Sequence, residues 1–495
     1  MSPMTGTTPT GSAPLEATLL VAEVAGIQQW IVGNATELRI IRGGSLLIAE
    51  AFAAAEDHLR AVLGPPVHLE GGTQEVAGWQ LVARSSGRLL ATVPRTSAPE
   101  LAHRIRALLA DHLPGLAVTV GLGPLRTPPL DGETPFDAAR RAAREEVLPG
   151  ATRQPATYHL GTATCDASGV ETASRRSTAE GWSLSPASDR RQRADLTDPQ
   201  LDDVAVERRM DRIGRATLSA RFKGYVAVVS ADGNAVGARF RDLHSAEEVA
   251  LESAAVAQGV EEAEAAAYGA AVQLHRQLGG AVPLPANPLI RAGDDLRYVL
   301  PAHVALPFAQ QLTSASPALP ACAGVFFCHA SLPFSQSHEA AESLLASAKR
   351  ASRADGDGTA PFVAFALQSG SGVGDVTLQD RRTASPYRAG ELPALLAAAS
   401  ALDTSSSQLR ATSEAIRSGG RVAAREWELQ WLAATRDQQQ QFARLWEALG
   451  CDEPVGDHPF PALRDRGGDT QVSPIGDLVL LRQLMSTRED AEAGA

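Results

Sequence analysis

The chain is poor in the features that would place it outside a reducing, aqueous compartment. Its four cysteines, Cys165, Cys322, Cys328 and Cys451, are scattered without a disulfide-framework spacing, which excludes a disulfide-stapled scaffold. No uninterrupted apolar run reaches membrane-spanning length, and the Thr/Gly/Pro-rich start from Met1 to Pro14 lacks the basic-then-apolar order of a secretory leader. A cytoplasmic location without a membrane partner is therefore expected. Net positive charge is also missing. A formal charge of −12 excludes a protein that coats itself with nucleic acid by bulk electrostatics, although it leaves room for a local basic patch. Arginine far outnumbers lysine and alanine is abundant, a bias of GC-rich coding rather than of function.

What the chain has is length and a repeated plan. At 495 residues it exceeds the ~250 residues that one core sustains, so roughly two to four domains are expected. From Leu15 to about Val147 the apolar pattern runs strand (Ala17 to Val24), helix (Ser45 to Leu63), strand (Trp79 to Ala83), strand (Arg88 to Val93), helix (Pro99 to His112), strand (Leu116 to Leu122) and helix (Pro135 to Val147). That is a split βαβ plan with an extra helix. From Tyr225 to about Gln368 a similar order recurs: a strand (Tyr225 to Ser230), a long helix (Ser245 to Leu278), a hairpin around Gly293, a helix (Pro307 to Thr313), a strand (Val325 to His329), a helix (His338 to Ala351) and a strand (Phe362 to Leu367). The stretch from Pro155 to Arg215 is rich in Ser, Asp and Arg and reads as a linker or small module. After Pro386 the pattern turns helical, with Phe442, Leu445, Trp446 and Leu449 on one apolar stripe. The expected fold class is α+β: a flexible start (1–14), a first ferredoxin-like βαββαβ domain (15–150), a linker (151–215), a second βαββαβ domain (216–385) and a helical C-terminal domain (386–495).

The second half carries a chemical constellation. Leu289 to Leu300 places Gly293-Asp294-Asp295 between two apolar runs, as a hairpin with a positive-φ glycine at its tip. A lone Gly-Asp-Asp is ordinarily a solvated turn. Here two adjacent carboxylates repel unless a cation neutralises them, and hard oxygen ligands suit Mg²⁺ or Mn²⁺. The run Tyr225 to Gly237 is a buried strand ending in Asp232-Gly233-Asn234, and the C-terminal end of a strand is where α/β sheets place ligands. In a βαββαβ fold the first strand lies antiparallel beside the third, which should bring Asp232 to Asp294 and Asp295. Three carboxylates would then hold one or two divalent ions, and Gly233 and Gly237 would let backbone amides approach phosphate oxygens. Lys349, at the edge of a helix whose buried stripe is Ala341, Leu344, Leu345 and Ala348, is either a solvated helix-end cation or a triphosphate contact. His329 is read as a packing or hydrogen-bonding residue. Cys322 and Cys328 are read as small buried residues, since no matched Cys or His pair accompanies them.

In this order the pieces resemble a known family. Tyr225 to Gly237, Ala292-Gly293-Asp294-Asp295 followed by Leu296 to Pro301, Cys322-Ala323-Gly324-Val325 through His329 and Pro333, and Ala348-Lys349 are similar to the second palm domain of the large subunit of type III CRISPR effector complexes, a relative of GGDEF diguanylate cyclases and of polymerase palms. Gly26-Ile27-Gln28-Gln29-Trp30-Ile31, then Ile41-Arg42-Gly43-Gly44-Ser45, is similar to the opening of that family's first palm. The resemblance covers most of Leu15 to Gly370. It implies two-metal synthesis of cyclic oligoadenylates from ATP as an antiviral second messenger. It also implies metal binding and catalysis by Asp232, Asp294 and Asp295, with Gly233, Asn234, Gly293 and Lys349 around the nucleotide.

The departures carry information too. Asn234 stands where the family's loop has a second carboxylate, Ala292 opens the usual Gly-Gly-Asp-Asp, and Cys322 replaces a serine. A zinc knuckle of two Cys-x2-Cys pairs is reduced to Cys165-x2-Ser168-Gly169, so no zinc is expected. The first half has Glu23 in its strand and Ser85-Ser86-Gly87-Arg88 at its hairpin, without paired carboxylates, and reads as a non-catalytic scaffold. A preceding His-Asp nuclease domain is not expected. Two functions follow. One is a Mg²⁺- or Mn²⁺-dependent nucleotidyltransferase making a cyclic nucleotide from ATP. The other is a degenerate palm scaffold that senses nucleotide, RNA or a partner protein. Expected partners are ATP or other nucleotides, then RNA, CRISPR-type effector subunits or a second copy of the chain.

Overall fold

The computed structural model describes residues 15–33, 37–66, 75–76, 78–85, 87–146, 165, 173, 175–176, 183–195, 203–368, 385–401, 435–448, 464–465, 471–472 and 474–486. In the first half these form β1 (Leu15–Ala25), α1 (Ile27–Val32), α2 (Leu38–Leu63), β2 (Glu75–Val76), β3 (Gln80–Ser85), β4 (Arg88–Pro94), α3 (Ala98–His112), β5 (Ala117–Pro124) and α4 (Pro135–Glu145). The connecting region holds β6 (Arg175–Arg176), β7 (Ser183–Leu184), α5 (Pro186–Ala194), β8 (Val204–Val206) and α6 (Met210–Arg215). The second half continues with β9 (Tyr225–Gly233), α7 (Val236–Arg241), α8 (Ala246–Gln277), β10 (Leu284–Ala292), β11 (Asp295–Pro301), α9 (Ala305–Ser314), β12 (Ala321–His329), α10 (Phe334–Ala354) and β13 (Phe362–Leu367). After it come β14 (Tyr387–Arg388), α11 (Leu392–Ala401), α12 (Arg436–Ala448), β15 (Arg464–Asp465), β16 (Gln471–Val472) and α13 (Ile475–Met485).

The class is mixed α+β, built on two main sheets. In the first, β5, β1, β4 and β3 lie side by side, with β2 on the start of β1. In the second the order is β14-β13-β12-β9-β11-β10-β8. Each half thus sets its first strand between the second strand of its hairpin, β4 or β11, and the strand after the next helix, β5 or β12, antiparallel to both. The duplication reaches fine detail. Both hairpins close over two residues, between Ser85 and Arg88 and between Ala292 and Asp295. Both carry a register shift at the same distance from the tip, Leu81/Ala83 and Pro288/Ile290. Both first strands run through a left-handed residue, Gly26 (φ 76) or Ala235 (φ 54), into a six-residue helix. The halves also dock reciprocally, α2 against β10 and α8 against β3.

Local chemistry explains the elements that frame the site. Residues Val226 to Ser230 of β9 are buried, because helices cover both faces of the central strand and only a near-continuous apolar run suits that position. Helix α8 starts in a capping box, in which Ser245 Oγ accepts from Glu248 N (3.1 Å) and Glu248 Oε2 accepts from Ser245 N (3.0 Å). It ends before Gly279 at φ 81. Gly324 sets how closely α10 lies on β12, since a Cβ there would come within 2.2 Å of Ala341 O.

Three expectations change. Helix α2 begins at Leu38 rather than Ser45. Gly43 and Gly44 look like helix breakers, yet a Cβ on Gly43 would lie 1.8 Å from Arg191 O of α5, so close packing holds helix through a residue of low propensity. The connecting region is more than a linker: β8 joins the second sheet in parallel with β10, and α5 locks onto α2 through the buried Arg42–Asp195 pair at 2.6 Å. At the C-terminus, α11 and α13 place Leu392, Leu395, Leu478, Val479 and Leu484 in the same core as the second sheet. The described part of that region is thus a wall of the second domain. The 1–14 segment, Ser86, Ser168-Gly169 and the side chains of the Phe442–Leu449 stripe lie outside the described residues. No helix among the described residues is long and apolar enough to cross a membrane.

Candidate active site

The strand pairing brings the acidic residues together. Asp295, the first residue of β11, faces Asp232 near the end of β9, and Cys322 faces Asp232 from the other side. Asp294 occupies the hairpin tip after Gly293, whose φ of 67 precedes a residue of negative φ, the order of a type II′ turn. Gly233 makes room for this tip. A Cβ at Gly233 would sit 2.9 Å from the Cβ of Asp294, and its N–H donates to Asp294 O at 3.2 Å.

Each acid has a different electrostatic setting. Asp232 pairs with Lys349 Nζ at 2.8 Å, and the same ammonium donates to Gly233 O at 2.5 Å. Lys349 is one of only two lysines in the chain, with Lys223, and α10 holds it over the strand end. Asp295 pairs with Arg297 Nη1 at 2.5 Å, and Arg297, 2% exposed, also contacts Glu342 Oε1 of α10 at 2.8 Å. Asp294 sits in a negative environment: burial first, then the charge of Asp232, pushes its carboxyl up to about 6, with Asp295 adding to the effect and Lys349 opposing it.

A divalent cation would relieve that imbalance, and carboxylates are the donors it prefers. The fit rests on Asp232 and Asp294, since among the described residues no three His, Cys, Asp or Glu side chains gather as a ready-made metal cage. The expected three-carboxylate cluster is thus adjacent in backbone but divided in side-chain commitment, because Arg297 claims Asp295.

The other predicted residues are placed as follows. Asn234 is 1% exposed, and its amide nitrogen donates to Thr359 O (3.1 Å) and Ala360 O (2.9 Å). It ties the β9 end to the segment before β13. Cys322 is fully buried on that same segment, its thiol raised by burial. Gly237 lies on α7 with open space where a Cβ would go. His329 is at the far end of the sheet, with Ser331 Oγ at 2.7 Å and Tyr225 edge-to-face, in keeping with a packing role.

Sequence reasoning missed Arg297, Glu342 and Gln28. Arg297 was visible in principle, because period-2 alternation puts it on the same face as Asp295. Gln28 was not: it belongs to α1 of the first half, and its Nε2 donates to Asp295 Oδ2 at 3.2 Å across 267 positions of chain. Two cavities flank the site. One of about 480 Å³ lies between the hairpin tips Gly87 and Gly293, with Arg84 and Arg291 on its walls. The other, of about 700 Å³, lies between Gln28 and Gln29 of α1 and Ser335, His338 and Glu339 of α10.

Fold and site together define a duplicated α+β protein of palm-like halves with acidic residues at one strand end. Solved structures give that class a particular counterpart, Csm1. A Csm1–Csm4 cassette in complex with cA3 is similar with a TM-score of 0.57 and 14% identity, over 96% of this chain and 70% of that one. The cassette in complex with one ATP gives 0.54 and 14% over 95% and 70%. Csm1 in T. onnurineus gives 0.55 and 12% over 95% and 70%. At these identities the likeness is one of fold, and it extends over nearly the whole chain. The resemblance read from the motifs is therefore matched by a fold-level match to Csm1, the palm-domain subunit of type III CRISPR complexes. No protein-family model and no curated protein matches the sequence.

Proposed function

We propose that the chain is a divalent-metal-dependent nucleotidyltransferase that makes a cyclic oligonucleotide from ATP in its second palm, a ferredoxin-like βαββαβ unit, as part of a cytoplasmic antiviral system. The observation that carries this reading is the approach of the Asp294 tip to Gly233, within the field of the neighbouring Asp232, whose carboxylate lies under the ammonium of Lys349. Csm1–Csm4 cassettes in complex with ATP and with cA3 support the substrate and product class, and they make a Csm4-like subunit a candidate partner. Asp232 and Asp294 would hold Mg²⁺ or Mn²⁺, which when bound neutralises phosphate charge and lowers the pKa of an attacking hydroxyl. Lys349 would exchange its bond to Asp232 for the triphosphate, placing its charge on the leaving group. The 480 Å³ cleft between the hairpins is of nucleotide size. Rigid docking of the palms would fix the orientation of two nucleotides there. Purified protein incubated with labelled ATP and Mn²⁺, with and without RNA, should yield an oligonucleotide product that disappears in Asp294→Ala.

A second reading, a palm scaffold or nucleotide sensor, is favoured by one observation. Asn234, at the position where the resemblance expects a carboxylate, is spent on backbone carbonyls. Nucleotide binding without product under every activator would select it.

A further inference from the structure

Asp295 is engaged on both of its oxygens. Oδ1 meets Arg297 Nη1 at 2.5 Å and Oδ2 accepts from Gln28 Nε2 at 3.2 Å. The two partners come from different halves. Arg297 is buried, donates further to Leu296 O (2.9 Å) and Ala231 O (3.2 Å), and reaches Glu342 of α10. It therefore binds the hairpin to β9 and α10 at once. Gln28 comes from the short helix α1, which leaves β1 through Gly26, so its position follows that of the first sheet. A carboxylate held by a buried guanidinium and a carboxamide is oriented and charge-compensated, the condition of a structural anchor. Asp294, one residue earlier, has its carboxyl in the negative environment that a cation would relieve.

We propose that Asp295 is the tether of the hairpin rather than one of its metal ligands, with Gln28 and Arg297 as its positioning residues, so that the first palm holds the acidic tip of the second in place. The matched position in the first palm fits a cross-strand anchoring role: Arg88, the first residue of β4, faces Glu23 and pairs with it at 2.6 Å. At both places the strand-opening residue is held by an ion pair, Arg88 to Glu23 across the strands and Asp295 to Arg297 along its own strand, and Asp295 in addition accepts from Gln28 of the other palm. The proposal deepens the nucleotidyltransferase reading and rests on it for the identity of the metal site.

The test is a Mn²⁺ titration of the full chain by electron paramagnetic resonance, joined to hydrogen exchange of the segment 292–296. Asp294→Asn should weaken Mn²⁺ binding about tenfold or more, whereas Asp295→Asn, whose one carbonyl oxygen still accepts from Arg297 while its NH2 can donate to the flipped carboxamide of Gln28, should stay within about threefold. Gln28→Ala should speed exchange in 292–296 about threefold, and Gln28→Lys, which keeps a donor for Asp295, should restore it. Equal loss of Mn²⁺ affinity in Asp295→Asn and Asp294→Asn, or unchanged exchange in Gln28→Ala, would overturn the tether. Should Asp295→Asn fail to fold, the exchange of the two Gln28 variants decides. None of these readouts uses turnover, so a failure to find any nucleotide product counts against the proposed function and leaves the tether standing or falling on its own.

Discussion

The two palms are the same device with opposite contents. Where the first strand ends and the third begins, the first palm sets Glu23 against Arg88, and the second sets Asp232 against Asp295 with Asp294 at the tip. Opposite charges directly across two strands stabilise a pair, and like charges destabilise it. The first palm has therefore relaxed its strand end, while the second keeps acids together and compensates with Lys349 and Arg297 borrowed from α10 and β11. Retaining that arrangement, in which Asp294 is pushed up to about 6, makes sense if a cation or a nucleotide phosphate group is to enter.

Substitutions at matched positions should break this comparison most sharply. Asp294→Asn is expected to lower product formation about 10²–10³-fold, the loss typical of a preorganised charge stabiliser, while Glu23→Gln changes it less than about threefold. Rates measured side by side on labelled ATP would check this, and equal losses would mean that both palms are catalytic.

The second palm should also be the acid-sensitive one. His275 and His303 are buried against each other at 2.9 Å, and burial, followed by His275, depresses His303 to about 3. The folded His303 stays neutral while the unfolded chain protonates near 6.5, so the unfolded state takes up more protons and stability falls as pH drops below 6.5. From pH 7 to pH 5 the loss is about 2 kcal/mol. Asp294, pushed up to about 6, gains its proton in the folded state over the same range and opposes the loss. Denaturant melts of Asp294→Asn at the two pH values remove the opposing aspartate, and Asp294→Asn/His303→Phe should lose about 2 kcal/mol less between them, while His275 and His338, also lowered by burial, keep the rest of the acid sensitivity.

The smallest expected effect comes from the residue after each first strand. Ala235 holds a left-handed conformation that Gly26 adopts freely. Ala235→Gly should stabilise by about 0.5 kcal/mol, and Gly26→Ala should destabilise by about 1 kcal/mol. Opposite signs in urea melts would confirm that the two turns are equivalent.

Much of this was legible in the residues. Alternation and apolar runs gave the strands of both halves, and the antiparallel pairing rule was enough to bring Asp232 to the Gly293 hairpin. The part that was not legible depends on contacts distant in sequence. Gly43 looks like a helix breaker until α5 is seen packed on it, and Gln28 carries no mark of its contact with Asp295. Asn234 looked like a weakened ligand, yet its two bonds to the segment before β13 depend on where β13 folds back. Lys349 was ambiguous in sequence because its reach depends on how closely Gly324 lets α10 approach β12. The helical C-terminal segments looked independent because an apolar stripe does not name the surface it covers.

The central claim is that one palm, not both, holds the cation. The most direct measurement is an anomalous difference map from a crystal of the full chain grown with Mn²⁺ and a non-hydrolysable ATP analogue. The account predicts manganese between Asp232 and Asp294, with Lys349 turned onto phosphate, and no manganese at Glu23 and Arg88. Manganese at the first palm, or a nucleotide-bound second palm with Lys349 still on Asp232 and no metal, would contradict it.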